Sequence, residues 1–272
     1  MRRSLACPTR LDPRRIVHLE TAESEAANVK SITFRDSLCS QAKPGQYVML
    51  WIMGVDEVPM SLSSIGDVCG LLVERVGEAT EAIHRMVVGQ AFGLRGPFGN
   101  YFTLMEGRAL LVAGGMGIAS LLPLANSLRI HGTKVELVYG ARTAAELCGL
   151  KQVMDVADSS HVATDDGSYG TKGLVTTLLP PLLKRKGYDM VYCCGPEPMM
   201  KEVFLLTEKY GLLLQASMER IIKCSVGLCG SCMIGKYRVC KDGLILTSEQ
   251  LREVADEFGV YRRGFDGRRI PF

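Results

Sequence analysis

The sequence predicts a multidomain α+β chain in three parts: an antiparallel β-barrel, an α/β domain around a parallel sheet, and a small cysteine-bearing unit near the C-terminal end. Three observations predict it. Residues 14–104 hold short strand-length runs broken by turn residues, the pattern of a small antiparallel barrel. Over residues 105–211 apolar strands alternate with helical stretches, the pattern of a parallel, doubly wound sheet. Residues 212–272 carry cysteines 224, 229, 232 and 240 at the spacing C-x4-C-x2-C-x7-C.

Residues 1–13 read as a loose basic tail with no apolar segment behind it, so no secretory signal is expected there. In the barrel, Ile16–Leu19, Ser31–Phe34, Tyr47–Trp51 and Gly70–Glu74 are strand-length, and Pro44-Gly45, Gly66-Asp67 and Gly96-Pro97 punctuate them. Glu78–Val87 reads as one helix over an end of the barrel. In the second part the strands are Ala109–Ala113, Lys134–Tyr139, His161–Thr164 and Asp189–Cys194; the helices are Ile118–Ile130, Gly173–Lys184 and Pro198–Tyr210.

Composition excludes several functions. At 272 residues, 47% hydrophobic and 22% charged, the chain is an ordinary globular protein long enough for two domains and an appendage. The net charge of +3 is spread along the chain, without the basic stripe that nucleic-acid binding wants. No apolar run approaches a membrane span. A cytoplasmic location is the expectation. Of the ten cysteines, Cys7, Cys39, Cys69, Cys148, Cys193 and Cys194 sit mostly in apolar runs, where cysteine behaves as a small hydrophobe. His18, His84, His131 and His161 are isolated, with no metal or triad spacing.

The first chemical signal is the turn Gly114-Gly115-Met116-Gly117 between a strand and a helix. Backbone N–H groups and the helix dipole converge there and suit a pyrophosphate; such a turn can also simply let a helix pack close to a strand. Gly115 and Gly117 fit the first two positions of the dinucleotide fingerprint and Ser120 replaces the third glycine. The second strand ends Gly140-Ala141-Arg142 rather than in an acidic residue, which leaves NAD and NADP both open. Cys194-Gly195-Pro196-Glu197-Pro198 stands at another strand exit, where open α/β sheets place ligands. Val58-Pro59-Met60-Ser61, with Leu72-Val73-Glu74 and Ala79-Thr80, invites a flavin reading, although a strand and a helix cap explain the same residues. Asp165-Asp166-Gly167-Ser168 is first of all a turn.

The second signal is the cysteine stretch. Cys224, Cys229 and Cys232 are bunched and Cys240 trails; the plant-type [2Fe–2S] pattern opens with the same C-x4-C-x2-C. Gly227, Gly230 and Ser231 allow a tight curl, and N–H groups pointing inward would tune a cluster. Structural zinc usually takes two separated pairs with short gaps, and disulfides belong to secreted chains.

These landmarks, in this order, resemble the electron-transfer subunit of NAD-dependent (type B) dihydroorotate dehydrogenase, a family of ferredoxin-reductase-like proteins. The resemblance covers nearly the whole chain beyond the first dozen residues. It is carried by Pro44–Met49, Arg95–Asn100, Gly114–Ala119, Thr164–Ser168, Cys194–Met200, Glu219-Arg220 with the four cysteines, and Phe258–Arg263.

The resemblance implies FAD on the barrel, with Val58, Pro59, Met60 and Ser61 at the flavin and Leu72, Val73, Glu74, Ala79 and Thr80 along the ribityl and phosphates. It implies NAD at Gly114, Gly115, Gly117, Cys194, Gly195 and Pro196, and a [2Fe–2S] cluster on Cys224, Cys229, Cys232 and Cys240. The family commonly opens its flavin motif with arginine; Val58 stands there, and Arg75 or Arg95 is the candidate to replace the lost charge. The implied partner is a catalytic subunit carrying FMN, in a heterotetramer with two of each chain, so no catalytic residue for the pyrimidine is expected here. Similar modules occur in the gamma subunit of sulfhydrogenases and in anaerobic sulfite reductase. A zinc-stabilised module without redox function is the alternative of another class.

Overall fold

A computed structural model describes residues 14–185 and 187–272; the basic tail expected over residues 1–13 lies outside them. The first part holds strands β1 (Arg15–His18), β2 (Thr21–Ala26), β3 (Val29–Phe34), β4 (Tyr47–Ile52), β5 (Asp56–Ser64), β6 (Cys69–Glu74) and β7 (Ala91–Phe98), with helix α1 (Glu78–Arg85). They form one seven-stranded sheet in the order β1-β7-β4-β5-β6-β3-β2. Every neighbouring pair is antiparallel.

No ladder joins β1 to β2, so the expected barrel is a curled half-barrel rather than a closed cylinder. The two residues between β1 and β2 continue the ladders on either side: Leu19 N–H donates to Gln90 O at 2.9 Å beside β7, and Glu20 N–H to Thr33 O at 2.8 Å on β3. Inside, Phe34, Val48, Leu50, Leu71, Val73, Phe92 and Leu94 are fully buried together. On β3, Ile32 and Phe34 face this core two residues apart, as the strand's side-chain period requires, while Val29, of opposite parity, is buried in the apolar cluster of the second sheet.

The second sheet contains β8 (Arg108–Gly114), β9 (Lys134–Ala141), β10 (Ser159–Thr164), the two-residue β11 (Thr171–Lys172), β12 (Met190–Cys194) and β13 (Leu214–Ser217). These are parallel, in the order β11-β10-β9-β8-β12-β13. Helices α2 (Ile118–Ile130), α3 (Leu150–Val156), α4 (Leu179–Lys184) and α5 (Glu197–Tyr210) pack on it. Buried on both faces, β8 and β12 read as continuous apolar runs. The helix expected over 173–184 is instead a 3-10 turn, Val175–Leu178, followed by α4. Pro180 and Pro181 lack N–H donors and fit only a helix's first turn, so the α-helix begins beside them.

The cysteine-bearing unit follows: the short hairpin β14 (Met233–Ile234) and β15 (Tyr237–Arg238), α6 (Val239–Asp242), β16 (Ile245–Thr247), α7 (Ser248–Glu253), and the closing hairpin β17 (Tyr261–Arg263) and β18 (Arg269–Pro271). It is woven into its neighbours. β16 adds antiparallel to β13 at the sheet edge, and Cys232, Ile234, Val239 and Cys240 are buried in the same apolar cluster as the sheet. The sheet therefore runs past residue 211, the boundary expected for the second part. A reciprocal amide pair ties the unit to the half-barrel: Asn100 Nδ2 donates to Ile245 O, and Ile245 N–H to Asn100 Oδ1, each at 2.8 Å.

Candidate functional site

Between half-barrel and parallel sheet lies a cleft with two adjoining cavities. One, of about 270 Å³, is lined from the barrel by Tyr47, Pro59, Met60, Ser61, Leu72 and Thr80, and from the other side by Cys194, Ser217, Met218 and Leu244. The other, of about 610 Å³, is lined by Gly114, Gly115, Arg142, Glu146, Asp165 and Pro196 among others. Glu74, Met116 and Glu219 border both, so the two are halves of one cleft.

Pro59, Met60, Ser61, Leu72, Glu74, Thr80 and Cys194 thus face the smaller cavity, and Gly114, Gly115 and Pro196 the larger. Val58, Val73, Ala79, Gly117 and Gly195 line neither. Val58 packs on the barrel core, and Val73 and Ala79 are buried.

Gly117 and Gly195 bring two loops together. A Cβ at Gly117 would sit 2.1 Å from Cys194 O, and one at Gly195 2.9 Å from Gly114 Cα. The β8–α2 and β12–α5 turns touch backbone to backbone. Gly115 is different: its φ is +51°, and nothing lies within 4 Å of a Cβ there, so the turn needs glycine for conformation and is open toward the cavity.

Thr80 organises the start of α1. Its Oγ1 accepts from Val76 N–H at 2.9 Å and Gly77 N–H at 3.0 Å, a side-chain cap that fixes the entry of the chain into the helix. The two arginines considered as substitutes at the flavin motif line neither cavity. Arg95 forks onto Glu57 at 2.8 and 2.7 Å, and Arg75 bonds Asn28 Oδ1 at 3.1 Å. Arg142 is engaged by Glu146, at 2.8 and 3.0 Å.

The cysteine loop follows Arg220 and Ile222, which line the smaller cavity; its four cysteines line neither cavity. Cys229 acts on the Cys224 thiol and Cys232 on the Cys240 thiol, and Cys232 Sγ also accepts from Cys240 N–H at 3.4 Å. Cys232 and Cys240 are buried, Cys224 is half-buried and Cys229 is exposed. Among the described residues no three His, Cys, Asp or Glu side chains gather around a single metal point; the sulfurs lie as two pairs. Burial opposes ionisation of Cys224, but the backbone N–H groups of Cys229, Val226 and Leu228 outweigh it and hold its thiol down at about 6. Burial, with Cys232 alongside, pushes Cys240 up to about 12. The loop curls through Gly227 and Gly230 at φ +78° and +73°.

Tyr47 joins the two regions. It lines the smaller cavity, and burial first, then the thiols of Cys240, Cys232 and Cys224, raise its phenol well above the usual range. Its hydroxyl and that of Ser225 are buried with no hydrogen-bond partner, a condition that costs about 1–3 kcal/mol per group. In sequence, Tyr47, Met116 and Glu219 belong to the motifs that carry the resemblance but do not stand out as site residues. A tyrosine in an apolar strand reads as core, and only its polar tip hints otherwise.

Residues 111–204 match the oxidoreductase NAD-binding domain, and residues 219–252 match the iron-sulfur cluster binding domain of dihydroorotate dehydrogenase B. A solved structure titled for flavin-based electron bifurcation in the NADH-dependent reduced ferredoxin-NADP oxidoreductase superposes with a TM-score of 0.79 at 27% identity, over 89% of this chain and 92% of that one. The ferredoxin reductase of carbazole 1,9a-dioxygenase shares the fold, with a TM-score of 0.64 at 20% identity over 74% of this chain and 66% of its own. Half-barrel, NAD-type sheet and cysteine unit together define an oxidoreductase of ferredoxin-reductase-like fold that transfers electrons.

The particular branch is equally plain. A Methanocella arvoryzae protein named probable dihydroorotate dehydrogenase B (NAD(+)), electron transfer subunit, is 44% identical over 84% of this chain and 87% of its own. A Methanothermobacter thermautotrophicus protein of the same name is 39% identical over 99% of each chain. The chain belongs to the family of dihydroorotate dehydrogenase B electron transfer subunits.

Proposed function

We propose that this chain carries electrons from a dihydroorotate dehydrogenase catalytic subunit, through a [2Fe–2S] cluster on Cys224, Cys229, Cys232 and Cys240 and an FAD on the half-barrel, to NAD+. Four cysteines shared by two irons would give two sulfurs per iron, and the interactions of Cys224 with Cys229 and of Cys240 with Cys232 suit that division. A single zinc ion would want all four sulfurs around one point. The N–H groups that stabilise the Cys224 thiolate suit a ligand sulfur as well.

The observation that carries the reading is the position of Tyr47, with cluster thiols on one side and the smaller cavity on the other. Pro59, Met60 and Ser61 would hold the ring system of FAD there, with Thr80 fixing the backbone that meets its phosphates. When bound, a flavin exchanges single electrons with a cluster and two with a nicotinamide, which neither of those can do with the other. Gly114, Gly115 and Pro196 would hold NAD in the larger cavity, with Met116 and Glu219 on the shared wall. Exposed Cys229 and Leu228, 85% exposed, form the outer face of the cysteine loop, and the buried pair Cys232–Cys240 its inner face. Electrons enter from outside and leave inward.

The dihydropyrimidine chemistry would belong to the partner subunit, in a heterotetramer with two of each chain. The setting is cytoplasmic. Reconstitution tests this division of labour. The chain alone reduces dyes with NADH and does not oxidise dihydroorotate; with the catalytic subunit, dihydroorotate reduces NAD+. Dihydroorotate turnover by the chain alone would contradict it.

A further inference from the structure

The inner side of the cysteine loop carries the two unpaired hydroxyls, Tyr47 Oη and Ser225 Oγ. Their residues are 2% and 4% exposed. They lie beside each other without the alignment of a hydrogen bond, in an interior where buried polar groups normally find partners. Ser225 is also the sole described non-glycine residue in the left-handed region, at φ +59°. A serine held there is strained, and strain of this kind persists where the surroundings impose it, commonly at functional sites. The polar surroundings of Tyr47 are the thiols of Cys224, Cys232 and Cys240. A tyrosine or serine O–H is a hydrogen-bond donor, and a sulfur can accept from it.

We propose that the Tyr47 and Ser225 hydroxyls donate hydrogen bonds to the cluster sulfurs carried by Cys224, Cys232 and Cys240, and so raise the cluster's reduction potential. The inference rests on the cluster reading given above. An added electron increases the negative charge on sulfur, so an O–H aimed at it stabilises the reduced form more than the oxidised one. At Ser225, where glycine would be unstrained, the serine supplies a hydroxyl that glycine lacks. Tyrosine stands in β4 because its ring walls the flavin-side cavity while its tip reaches the sulfurs. The two donors set how easily the buried end of the loop accepts an electron arriving from the exposed end.

The test is an EPR-monitored redox titration of the full-length protein, purified anaerobically, as wild type, Tyr47→Phe, Ser225→Gly and the double variant. Phenylalanine keeps the ring and glycine relieves the φ strain, so each removes one O–H and little else. Each single variant is expected to lower the cluster midpoint while the cluster spectrum persists. The double variant is expected to shift the one-electron equilibrium roughly tenfold, about 59 mV. Midpoints that stay unchanged or rise with the spectrum intact, or a shift confined to the flavin, overturn the proposal. The single variants are titrated separately, so one that loses its iron leaves the other to decide. A wild type without an iron–sulfur signal overturns the cluster reading itself, an outcome distinct from unchanged midpoints.

Discussion

Arg220, four residues ahead of Cys224, meets Glu197 at the start of α5 with an N–O distance of 2.8 Å, and each side chain is only 1% exposed. The contact is one of charge rather than of aligned hydrogen bonds. Arg220 Nη1 also donates to Tyr261 O at 3.2 Å. One guanidinium thus fastens the cysteine unit, the nucleotide sheet and the C-terminal hairpin together. Burial pushes the Glu197 carboxyl up to about 7 even with Arg220 opposing it.

Removing one partner of a buried pair leaves the other charge uncompensated. Arg220→Met is expected to cost about 3–5 kcal/mol in chemical denaturation. A loss below about 1 kcal/mol, the scale of an exposed pair, would show that the contact does not fasten these units.

The approach of Gly117 to Cys194 makes a second prediction. A Cβ at Gly117 has 2.1 Å to Cys194 O and 2.4 Å to Cys194 C, and backbone cannot rotate away as a side chain can. Gly117→Ala is expected to destabilise by roughly 1–3 kcal/mol or more and to weaken NADH binding by separating the two turns. Gly115→Ala meets no neighbour and costs only left-handed strain, about 1–2 kcal/mol. Equal effects of the two in thermal melts would contradict the packing argument.

Cofactor choice follows from Arg142. It stands at the end of β9, where dinucleotide folds read the ribose, yet Glu146 holds it and Asp165 lines the same cavity. A 2′-phosphate would meet acidic side chains and an engaged arginine, which favours NAD. Glu146→Gln is expected to raise kcat/KM for NADPH relative to NADH by up to about fivefold, since the exposed pair is worth at most about 1 kcal/mol. An unchanged ratio would mean that the ribose is read elsewhere.

Acid stability is set partly by Glu57. Hydrogen bonds from Arg95, ahead of the opposing effect of burial, hold its carboxyl below the ordinary value of 4.5. A folded pKa below the unfolded one contributes stability that is complete above the unfolded value and is lost as pH falls through the folded value. The stability difference between wild type and Glu57→Gln should therefore be constant from neutral pH down to about 5 and shrink below about 4. Urea midpoints across that range check it; a difference that grows on acidification would reverse the sign.

Local chemistry made much of this legible in sequence. The helix Ile118–Ile130 is readable to the residue because a glycine turn opens it and a long apolar run follows. The cysteine spacing and the strand-to-helix turns are contiguous signals of the same kind. What escaped is non-local. Nothing in Leu214–Ser217 or Ile245–Thr247 says that they extend the nucleotide sheet, and nothing within β1 or β2 says that the barrel stays open between them. The Arg220–Glu197 pair spans segments far apart in the chain. Tyr47 was read as a strand residue because its role depends on a loop that arrives much later.

The central claim is that the four cysteines hold two irons beside a flavin, and the visible and EPR spectra of the anaerobically purified chain test it most directly. Flavin bands over a broad cluster absorption, about two irons per chain, and an EPR signal that appears on one-electron reduction are expected. A colourless protein, or one carrying a single zinc ion and no flavin, would contradict it.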